Sequence, residues 1–230
     1  MNFLWAHHQV HHSSEDYNLT TAVRQPGFQV WFIWAFYIPL ALFIPPPIFM
    51  IHQQFNLLFQ FWIHTEIIES LGPLEWILNT PKHHRIHHGS NRYCLDKNYA
   101  GWLIIWDKLF GTFEKEKLGE EIKYGLVEDV KSFNPFWLQI FYVSKTWNRI
   151  KEYDSWNDKL GVLFKGPGWS PGKPRLGDLN EVPIYSTKEV YDVKVSAWKN
   201  TYVVAHFLVS LLAINFLAES NNVCCTFNIS

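Results

Sequence analysis

The sequence is poor in cysteine and nearly balanced in charge, and each of these shortages excludes a class of protein. Its three cysteines, Cys94, Cys224 and Cys225, are an odd number without framework spacing, which argues against a secreted, disulfide-stapled domain. The scarcity of thiolates also disfavours a structural Cys/His zinc site. A net charge of -1 at pH 7 gives no bulk attraction for nucleic acid, so we expect no nucleic-acid partner. We expect no signal peptide, because no basic stretch followed by an apolar stretch opens the chain.

Aromatic side chains and charge-free apolar runs are plentiful instead. Phe, Trp and Tyr make up 17% of the sequence, and Trp and Tyr concentrate at membrane interfaces. Residues 30–51 carry no charge and suit a bilayer crossing, which needs roughly 20 apolar residues. The run Pro45-Pro46-Pro47 cannot lie inside a regular helix, so we predict a broken or re-entrant segment or a helical hairpin. A buried helix of a soluble bundle is the alternative. Residues 201–218 form a second charge-free run that could just cross a bilayer.

Six of the eleven histidines lie in two copies of the motif H-x-x-H-H. The two copies are His8, His11 and His12, and His84, His87 and His88. On an α-helix, positions i, i+3 and i+4 share one face, so we expect each triplet to lie on one helix and to converge on one point. A metal that prefers neutral imidazole would relieve the crowding of these rings. A solvated helix face is the alternative for a single triplet, but two copies argue against it.

Further candidate residues lie between and behind the two motifs. His64 lies in an apolar, aromatic stretch, where a histidine is costly unless it is paired or ligates a metal; a satisfied core histidine is the alternative. We expect the helix that carries it to end at Leu71-Gly72-Pro73. Glu66, Asp96 and Asp107 are candidates to hold the second ring N–H of a ligand, with a surface charge as the alternative.

The remaining segments are predicted from local pattern. Residues 102–110 form a short amphipathic helix that ends at Gly111, and residues 133–153 form a longer one. We interpret residues 113–128 as a solvated, charged loop without a function. Excess positive charge at Lys82, Arg85 and Arg92 favours a cytosolic position for the site.

Histidine-rich sites without cysteine, beside apolar segments, point to redox-active iron. A zinc hydrolase usually needs three protein ligands and a water molecule. Six to eight histidines suggest two metal ions in one cavity, an arrangement suited to activating O₂ for attack on a lipid C–H bond.

The motifs and the stretches around them resemble the fatty acid hydroxylase superfamily of integral-membrane di-iron oxygenases. The stretches that carry the resemblance, besides the two histidine motifs, are Leu4-Trp5-Ala6, His11–Leu19, Phe61–Glu66, Asn79-Thr80-Pro81, Asn98–Gly101, Trp106–Thr112 and Phe164–Trp169. The resemblance runs from about residue 2 to about residue 183, where we expect it to fade.

This resemblance implies an all-α, integral-membrane helical bundle with a histidine-rich di-metal site at its cytosolic face. The implied enzyme is a multi-pass protein of the endoplasmic reticulum that uses tetrahydrobiopterin and O₂. It hydroxylates the ether-linked carbon of 1-O-alkylglycerols, and the product collapses to a fatty aldehyde and glycerol. The implied ligands of two iron ions are His8, His11, His12, His64, His84, His87 and His88. Nothing in the sequence indicates the pterin site or the oligomeric state.

Two alternatives and one departure from the family pattern stay open. The chain could be a fatty acid or sterol hydroxylase of the same superfamily, or a catalytically inactive membrane protein that retains the ligands. The family's first histidine box, H-x-x-x-H, is expected upstream of Asn2, so we expect a fragment or truncated form with little activity of its own. We predict a catalytic region at residues 1–115, a polar, partly helical cytosolic region with a Gly/Pro-rich loop at residues 116–200, and a C-terminal apolar segment and tail at residues 201–230.

Overall fold

The computed structural model describes residues 1–27, 37–184 and 189–227, with side chains up to residue 220. The α-helices are α1 (Asn2–His12), α2 (Leu19–Val23), α3 (Pro46–Trp62), α4 (Pro81–His88), α5 (Ile105–Phe110), α6 (Pro135–Lys151), α7 (Trp156–Phe164) and α8 (Ala197–Phe227). Short 3₁₀ helices lie at Ile38–Leu42, Gly72–Trp76, Arg92–Cys94 and Leu179–Glu181. These ranges contain isolated bridges but no named strand, so the all-α prediction is confirmed for the described residues.

The chain divides into two compact units, Met1–Tyr191 and Asp192–Ser230. The first unit contains both histidine motifs. The predicted functional boundaries at residues 115 and 200 are not tested by this division and stay predictions.

In the first unit, α1 is buried by helices from the second half of that unit. It packs against α6 and α7, which explains why two of its polar residues are fully enclosed. Asn2 donates to the Val162 carbonyl and accepts from the Tyr142 hydroxyl, and Gln9 donates to the Leu138 carbonyl. The Asn2 amide is therefore paired at both its nitrogen and its oxygen, and the Gln9 amide at its nitrogen, and these long-range bonds fix the orientation of the first motif.

Helix α3 begins at the proline run instead of being broken by it. Pro45 precedes the helix and Pro46 is its first residue, a position that proline favours because its fixed φ suits the first turn. The part of the predicted hairpin at residues 28–36 lies outside the described residues. The prediction that the helix continues to Leu71-Gly72-Pro73 is wrong, since α3 ends at Trp62. The chain then turns, and this turn carries His64.

Helix α4 carries the second motif and is eight residues long, with Pro81 at its first position. The predicted helix at residues 102–110 begins later, at Ile105, because Leu103 pairs with Leu78 in an isolated bridge. It ends at Gly111 as predicted, since that residue adopts the left-handed conformation that favours glycine (φ 72°). The helix predicted at residues 133–153 is confirmed as α6.

The interpretation of residues 113–128 as a solvated loop without a function is wrong. Ile122, Tyr124 and Leu126 are buried, and Glu116 forms an ion pair with the buried Arg85 of α4. The charges of this segment suggested solvation, but its apolar residues pack together with Tyr17 and Ile86.

In the second unit, α8 contains the predicted apolar run at residues 201–218. Its part Ala197–Ser220 is 24 residues long with a mean hydropathy of 1.9. Of the helices in the described part of the chain, it is the one long and apolar enough to cross a membrane, on length and composition alone.

Candidate metal centre

All seven predicted histidine ligands come together in two neighbouring groups. The first group is His11, His64, His84 and His88, and the second is His8, His12 and His87. Within each group, the candidate ligand atoms lie within 4.8 Å of one another. The groups adjoin, because the ring of His12 stacks on that of His88 with centroids 4.3 Å apart.

The expectation that each triplet converges on one point is wrong. Each triplet contributes an i, i+4 pair to one group and its middle histidine to the other group. Successive residues of an α-helix point about 100° apart, so neighbours such as His11 and His12 cannot aim at one point together. Members of a pair four residues apart lie over one another and can. Each helix therefore supplies both groups, and the two groups share their framework.

The ring protons of His11 and His64 are held by backbone carbonyls. Nδ1 of His11 lies 3.1 Å from the Arg24 oxygen, and Nδ1 of His64 lies 2.5 Å from the Gln60 oxygen. A carbonyl oxygen only accepts, so in each neutral ring Nδ1 carries the hydrogen and Nε2 carries a lone pair. These two Nε2 atoms lie 3.1 Å apart. Two facing lone pairs repel one another unless a cation lies between them.

The spacing of these nitrogens also fits ligands of one metal ion. Nε2 of His64 lies 3.1 Å from Nε2 of His84 as well. Two imidazole nitrogens bound to one ion at about 2.1 Å, with angles of about 90–109°, would lie about 3.0–3.4 Å apart. The first group therefore has the geometry of a coordination sphere.

Several buried ring nitrogens lack a partner among the described residues. They are Nε2 of His12, Nδ1 of His84 and Nε2 of His88. A buried polar atom without a hydrogen bond is costly, and such atoms in a native fold call for an explanation. A metal ion would satisfy the Nε2 atoms, so the donor set fits the implied metal on this observation too.

Burial keeps the histidines neutral, the state that binds metal. Desolvation lowers the pKa of His11 to about 3, with His8 and His64 adding to the effect. It lowers the pKa of His8 to about 4, assisted by His87, and that of His64 to about 4. At neutral pH these rings therefore offer lone pairs without first losing a proton.

His87 of the second group is oriented by a loop with an unusual backbone. Its Nδ1 lies 3.1 Å from the Lys97 oxygen and carries the ring hydrogen, so the lone pair on its Nε2 is free to bind a metal ion. Lys97 lies between Asp96 and Asn98, which both adopt left-handed backbone conformations (φ 56° and 51°). The fully buried Asn98 side chain donates to the His83 carbonyl and accepts from the Glu114 amide. This loop aims a carbonyl at the ring, a device that orients metal ligands in general.

The three candidate carboxylates occupy different places, and among the described contacts none of them hydrogen-bonds a ring of the seven histidines. Asp107 is buried and accepts from the amides of Tyr99 and Ala100 and from the Thr112 hydroxyl, so it organises the loop behind His87. Asp96 accepts from the Tyr99 hydroxyl, and Glu66 accepts from the Tyr124 hydroxyl. Backbone carbonyls hold the ring protons of His11, His64 and His87 instead.

Arg85 is a residue whose role the sequence reasoning missed. From the sequence we interpreted Arg85 only as one of the positive charges that favour a cytosolic position, but its guanidinium is buried and donates to the carbonyls of Thr65, Ile68 and Glu69. It also pairs with Glu116 at 3.3 Å. Arg85 thus ties the turn that carries His64 to helix α4. Its position between His84 and His87 was the sequence feature that could have indicated a buried role.

Tyr17 is a second missed residue. Its hydroxyl donates to the Ile63 carbonyl at 3.1 Å, and its ring lies 5.2 Å from that of His88. It stacks on Tyr124 with centroids 4.7 Å apart. This aromatic pair therefore closes one side of the four-histidine group.

The comparisons with known proteins agree with this site. Residues 1–112, which contain all seven histidines, match the family model of the fatty acid hydroxylases. Residues 1–112 are therefore similar to the fatty acid hydroxylases, as the superfamily resemblance predicted.

Individual proteins show more specific similarities than the family model does. The chain is 56% identical over 215 residues to the alkylglycerol monooxygenase of Xenopus tropicalis, covering 93% of the chain and 48% of that protein. It is 54% identical over 212 residues to the human alkylglycerol monooxygenase, covering 92% of the chain and 47% of that protein. It is also 33% identical over 112 residues to the ornithine lipid hydroxylase OlsE of Rhizobium tropici, covering 48% of the chain and 34% of that protein.

These alignments also bear on the extent of the similarity. The chain spans about half the length of the alkylglycerol monooxygenases named here. The similarity covers 93% of the chain and so continues past residue 183, where we expected it to fade. No solved structure matches the chain.

Proposed function

We propose that this chain forms the metal-binding part of a membrane monooxygenase that hydroxylates the ether-linked carbon of 1-O-alkylglycerols. O₂ and tetrahydrobiopterin would be consumed, and a fatty aldehyde and glycerol would be released. The observation that carries the proposal is the pair of adjacent histidine groups, and in the first of them the lone pairs of His11 and His64 face one another at 3.1 Å in a buried site. The proposed reaction is supported by the identity of 54–56% to alkylglycerol monooxygenases. The pterin rests on the family resemblance alone.

Each histidine group would hold one iron ion. The ligands of the first would be His11, His64, His84 and His88, and those of the second His8, His12 and His87. Bound iron would supply the activation of O₂ that attack on an unactivated C–H bond needs. The carbonyls of Arg24, Gln60 and Lys97 hold three ring protons at Nδ1, so that each Nε2 is free to bind. Burial of the first group excludes water from the reacting centre.

A membrane location is part of the proposal and has support from each unit separately. In the first unit, no residue of α3 is buried, and its exposed side chains are largely apolar. A helix that is apolar on most sides is typical of a lipid environment. In the second unit, Ala197–Ser220 is long enough to cross a bilayer. We assign the protein to the endoplasmic reticulum as a multi-pass protein with its metal site facing the cytosol, on the family resemblance.

A second candidate function is hydroxylation of another lipid. The similarity to OlsE, whose name describes an ornithine lipid hydroxylase, favours this second candidate. The histidine groups alone do not distinguish the two candidate substrates, because either reaction would use the same proposed metal centre.

The experiment that tests the metal centre is elemental analysis of the purified, detergent-solubilised chain after loading with ferrous iron. About two iron ions per chain are expected for the wild type. His84→Ala combined with His87→Ala removes one ligand from each group and is expected to lose both ions. His83→Ala is the matched control, because His83 lies on the same helix and belongs to neither group. Tightly held zinc that survives the double substitution would contradict the proposal.

The substrate is tested with the same preparation. Binding of 1-O-hexadecylglycerol is compared with binding of a fatty acid, a sterol and an ornithine lipid in detergent micelles. Tighter binding of the alkylglycerol is expected, and preference for the ornithine lipid would favour the second candidate. Pterin-dependent aldehyde release from the alkylglycerol would establish the full reaction.

A further inference from the structure

One stripe of polar side chains interrupts the apolar surface of α3. Gln53, Asn56 and Gln60 lie at helical spacing on one face and are half-buried, while the apolar residues around them are largely exposed. His52 lies beside this stripe. Polar side chains on a helix that otherwise suits lipid are costly to keep, and they are commonly found where a cavity or a polar ligand meets the helix.

Two residues of the stripe, Gln53 and Asn56, line a cavity of about 480 Å³. Its walls are Tyr37, His52, Gln53, Asn56, Trp102 and Leu103. This volume lies within the range of small-molecule sites, about 300–1,000 Å³. We call it the Asn56 pocket.

Two amide groups and one indole are already organised in the pocket. Oδ1 of Asn56 accepts from Nε2 of Gln60 at 2.8 Å and from Nε1 of Trp102 at 3.0 Å. The indole of Trp102 is itself held by stacking on Phe59, with centroids 4.5 Å apart and planes at 17°. The orientation of Asn56 is thereby fixed, with its oxygen turned towards these donors.

Other hydrogen-bonding atoms of the pocket are not used by the described part of the chain. Nδ2 of Asn56 and the side chains of Gln53 and His52 have no hydrogen-bond partner among those residues. An amide or a neutral imidazole both donates and accepts, and so does a hydroxyl group. The free groups therefore match a ligand that carries more than one hydroxyl.

The stripe also leads to the metal centre. The carbonyl of Gln60 accepts from Nδ1 of His64, so one residue joins the polar stripe to a ligand of the first histidine group. Asn56 lies one turn before Gln60, about 6 Å along the helix axis. In a 1-O-alkylglycerol, the ether-linked carbon is adjacent to the glycerol oxygen, so a glycerol held at the stripe would place that carbon along the part of α3 that leads to His64.

We propose that the Asn56 pocket binds the two glycerol hydroxyl groups of the alkylglycerol, while its alkyl chain lies along the apolar surface of α3. Gln53 and Asn56 supply hydrogen bonds to the two hydroxyl groups, which a plain alkyl ether lacks. The inference deepens the proposed function by assigning the headgroup site to named residues. It also predicts a preference for alkylglycerols over alkyl ethers without hydroxyl groups, because a site built to hydrogen-bond hydroxyls disfavours an analogue that lacks them.

The test compares binding of two ligands to the purified full chain in detergent micelles by equilibrium radioligand binding. The ligands are 1-O-hexadecylglycerol and hexadecyl methyl ether, which has the ether and the chain but no hydroxyls. Gln53→Leu and Asn56→Leu are each expected to weaken binding of the alkylglycerol about tenfold and to leave binding of the methyl ether unchanged. Gln54→Leu is the matched control, because Gln54 is exposed and does not line the pocket. This variant should bind both ligands like the wild type.

Iron content measured on the same samples separates this inference from the proposed function. Normal iron in every variant, with the loss confined to the alkylglycerol and to the pocket variants, supports the pocket. Equal binding of the alkylglycerol by wild type, Gln53→Leu and Gln54→Leu would overturn it even if iron is bound. Should Asn56→Leu lose iron as well through the Trp102 contact, Gln53→Leu carries the decision, because the Trp102 indole donates to Asn56 and not to Gln53. Absence of iron in the wild type together with intact selectivity would count against the proposed function alone.

Discussion

The two histidine groups are built from the same sequence motif but differ in how they are held. All four members of the first group are buried, and they come from three places in the chain: α1, the turn at residue 64 and α4. The second group has three members from two helices, and His8 and His87 are only half-buried. The first group is thus enclosed and cross-braced, whereas the second depends on one loop to orient His87. We therefore expect the two groups to bind their metal ions with unequal affinity, because the surrounding residues differ.

The largest expected effect is the loss of the metal ion from one histidine group while the other group keeps its ion. His64→Ala deletes a ligand of the first group that no helix motif supplies, so iron should fall from about two ions per chain to about one. His8→Ala should also leave about one ion, but the ion that remains should be the tighter one. Titration with a competing chelator, followed by elemental analysis, checks the difference. Equal chelator sensitivity of the two variants would break the comparison.

The next largest effect concerns the brace of the first group. Arg85→Met leaves three carbonyl oxygens and the Glu116 carboxylate without their donor, so unfolding should become easier by about 3 kcal/mol. Arg85→Lys should restore only part of the lost stability, because a lysine ammonium group cannot donate to several coplanar acceptors as the planar guanidinium does. Denaturant unfolding in detergent measures both variants.

Lys123→Met is the control for the Arg85 variants. Lys123 pairs with Glu121, whose side chain is largely exposed, so the cost should stay below about 1 kcal/mol. A loss for Arg85→Met no larger than this control would show that Arg85 does not brace the turn.

A smaller effect should appear at the second group when its loop is loosened. Asp107→Ala removes the acceptor of the Tyr99 and Ala100 amides, so the loop that aims the Lys97 carbonyl at His87 becomes less ordered. We expect about tenfold weaker binding of the second iron ion and little change at the first. Metal titration checks this, with Asp96→Asn as the milder comparison, since it weakens one exposed hydrogen bond and asparagine tolerates the left-handed backbone of this position. Equal weakening at both ions would argue against a local role of the loop.

The smallest effect is expected for Tyr17→Phe. The substitution removes the hydrogen bond to the Ile63 carbonyl but retains the stacking on Tyr124. The free energy of unfolding should fall by about 1 kcal/mol, while both iron ions stay bound. Tyr17→Ala should cost more, since it also removes the ring beside His88. Indistinguishable unfolding of wild type and Tyr17→Phe would mean that this bond does not support the turn.

Local pattern predicted the parts of the fold that depend on neighbouring residues. The helix end at Gly111 and the helix of residues 133–153 are set by glycine geometry and by apolar spacing, which lie in the sequence itself. The end of α3 and the role of residues 113–128 could not be predicted in this way. Arg85 binds the carbonyls after Trp62, and Tyr124 packs on Tyr17, so partners far along the chain decide both segments.

The sequence by itself determined which histidines would meet, because two spaced triplets and one isolated histidine in an apolar stretch are recognisable without coordinates. Only the tertiary structure decided how they divide into four and three. A helix turns about 100° per residue, so adjacent histidines diverge, and their partners depend on how α1 and α4 pack. The ring protons are likewise set by the carbonyls of Arg24, Gln60 and Lys97, which only the fold brings to the rings.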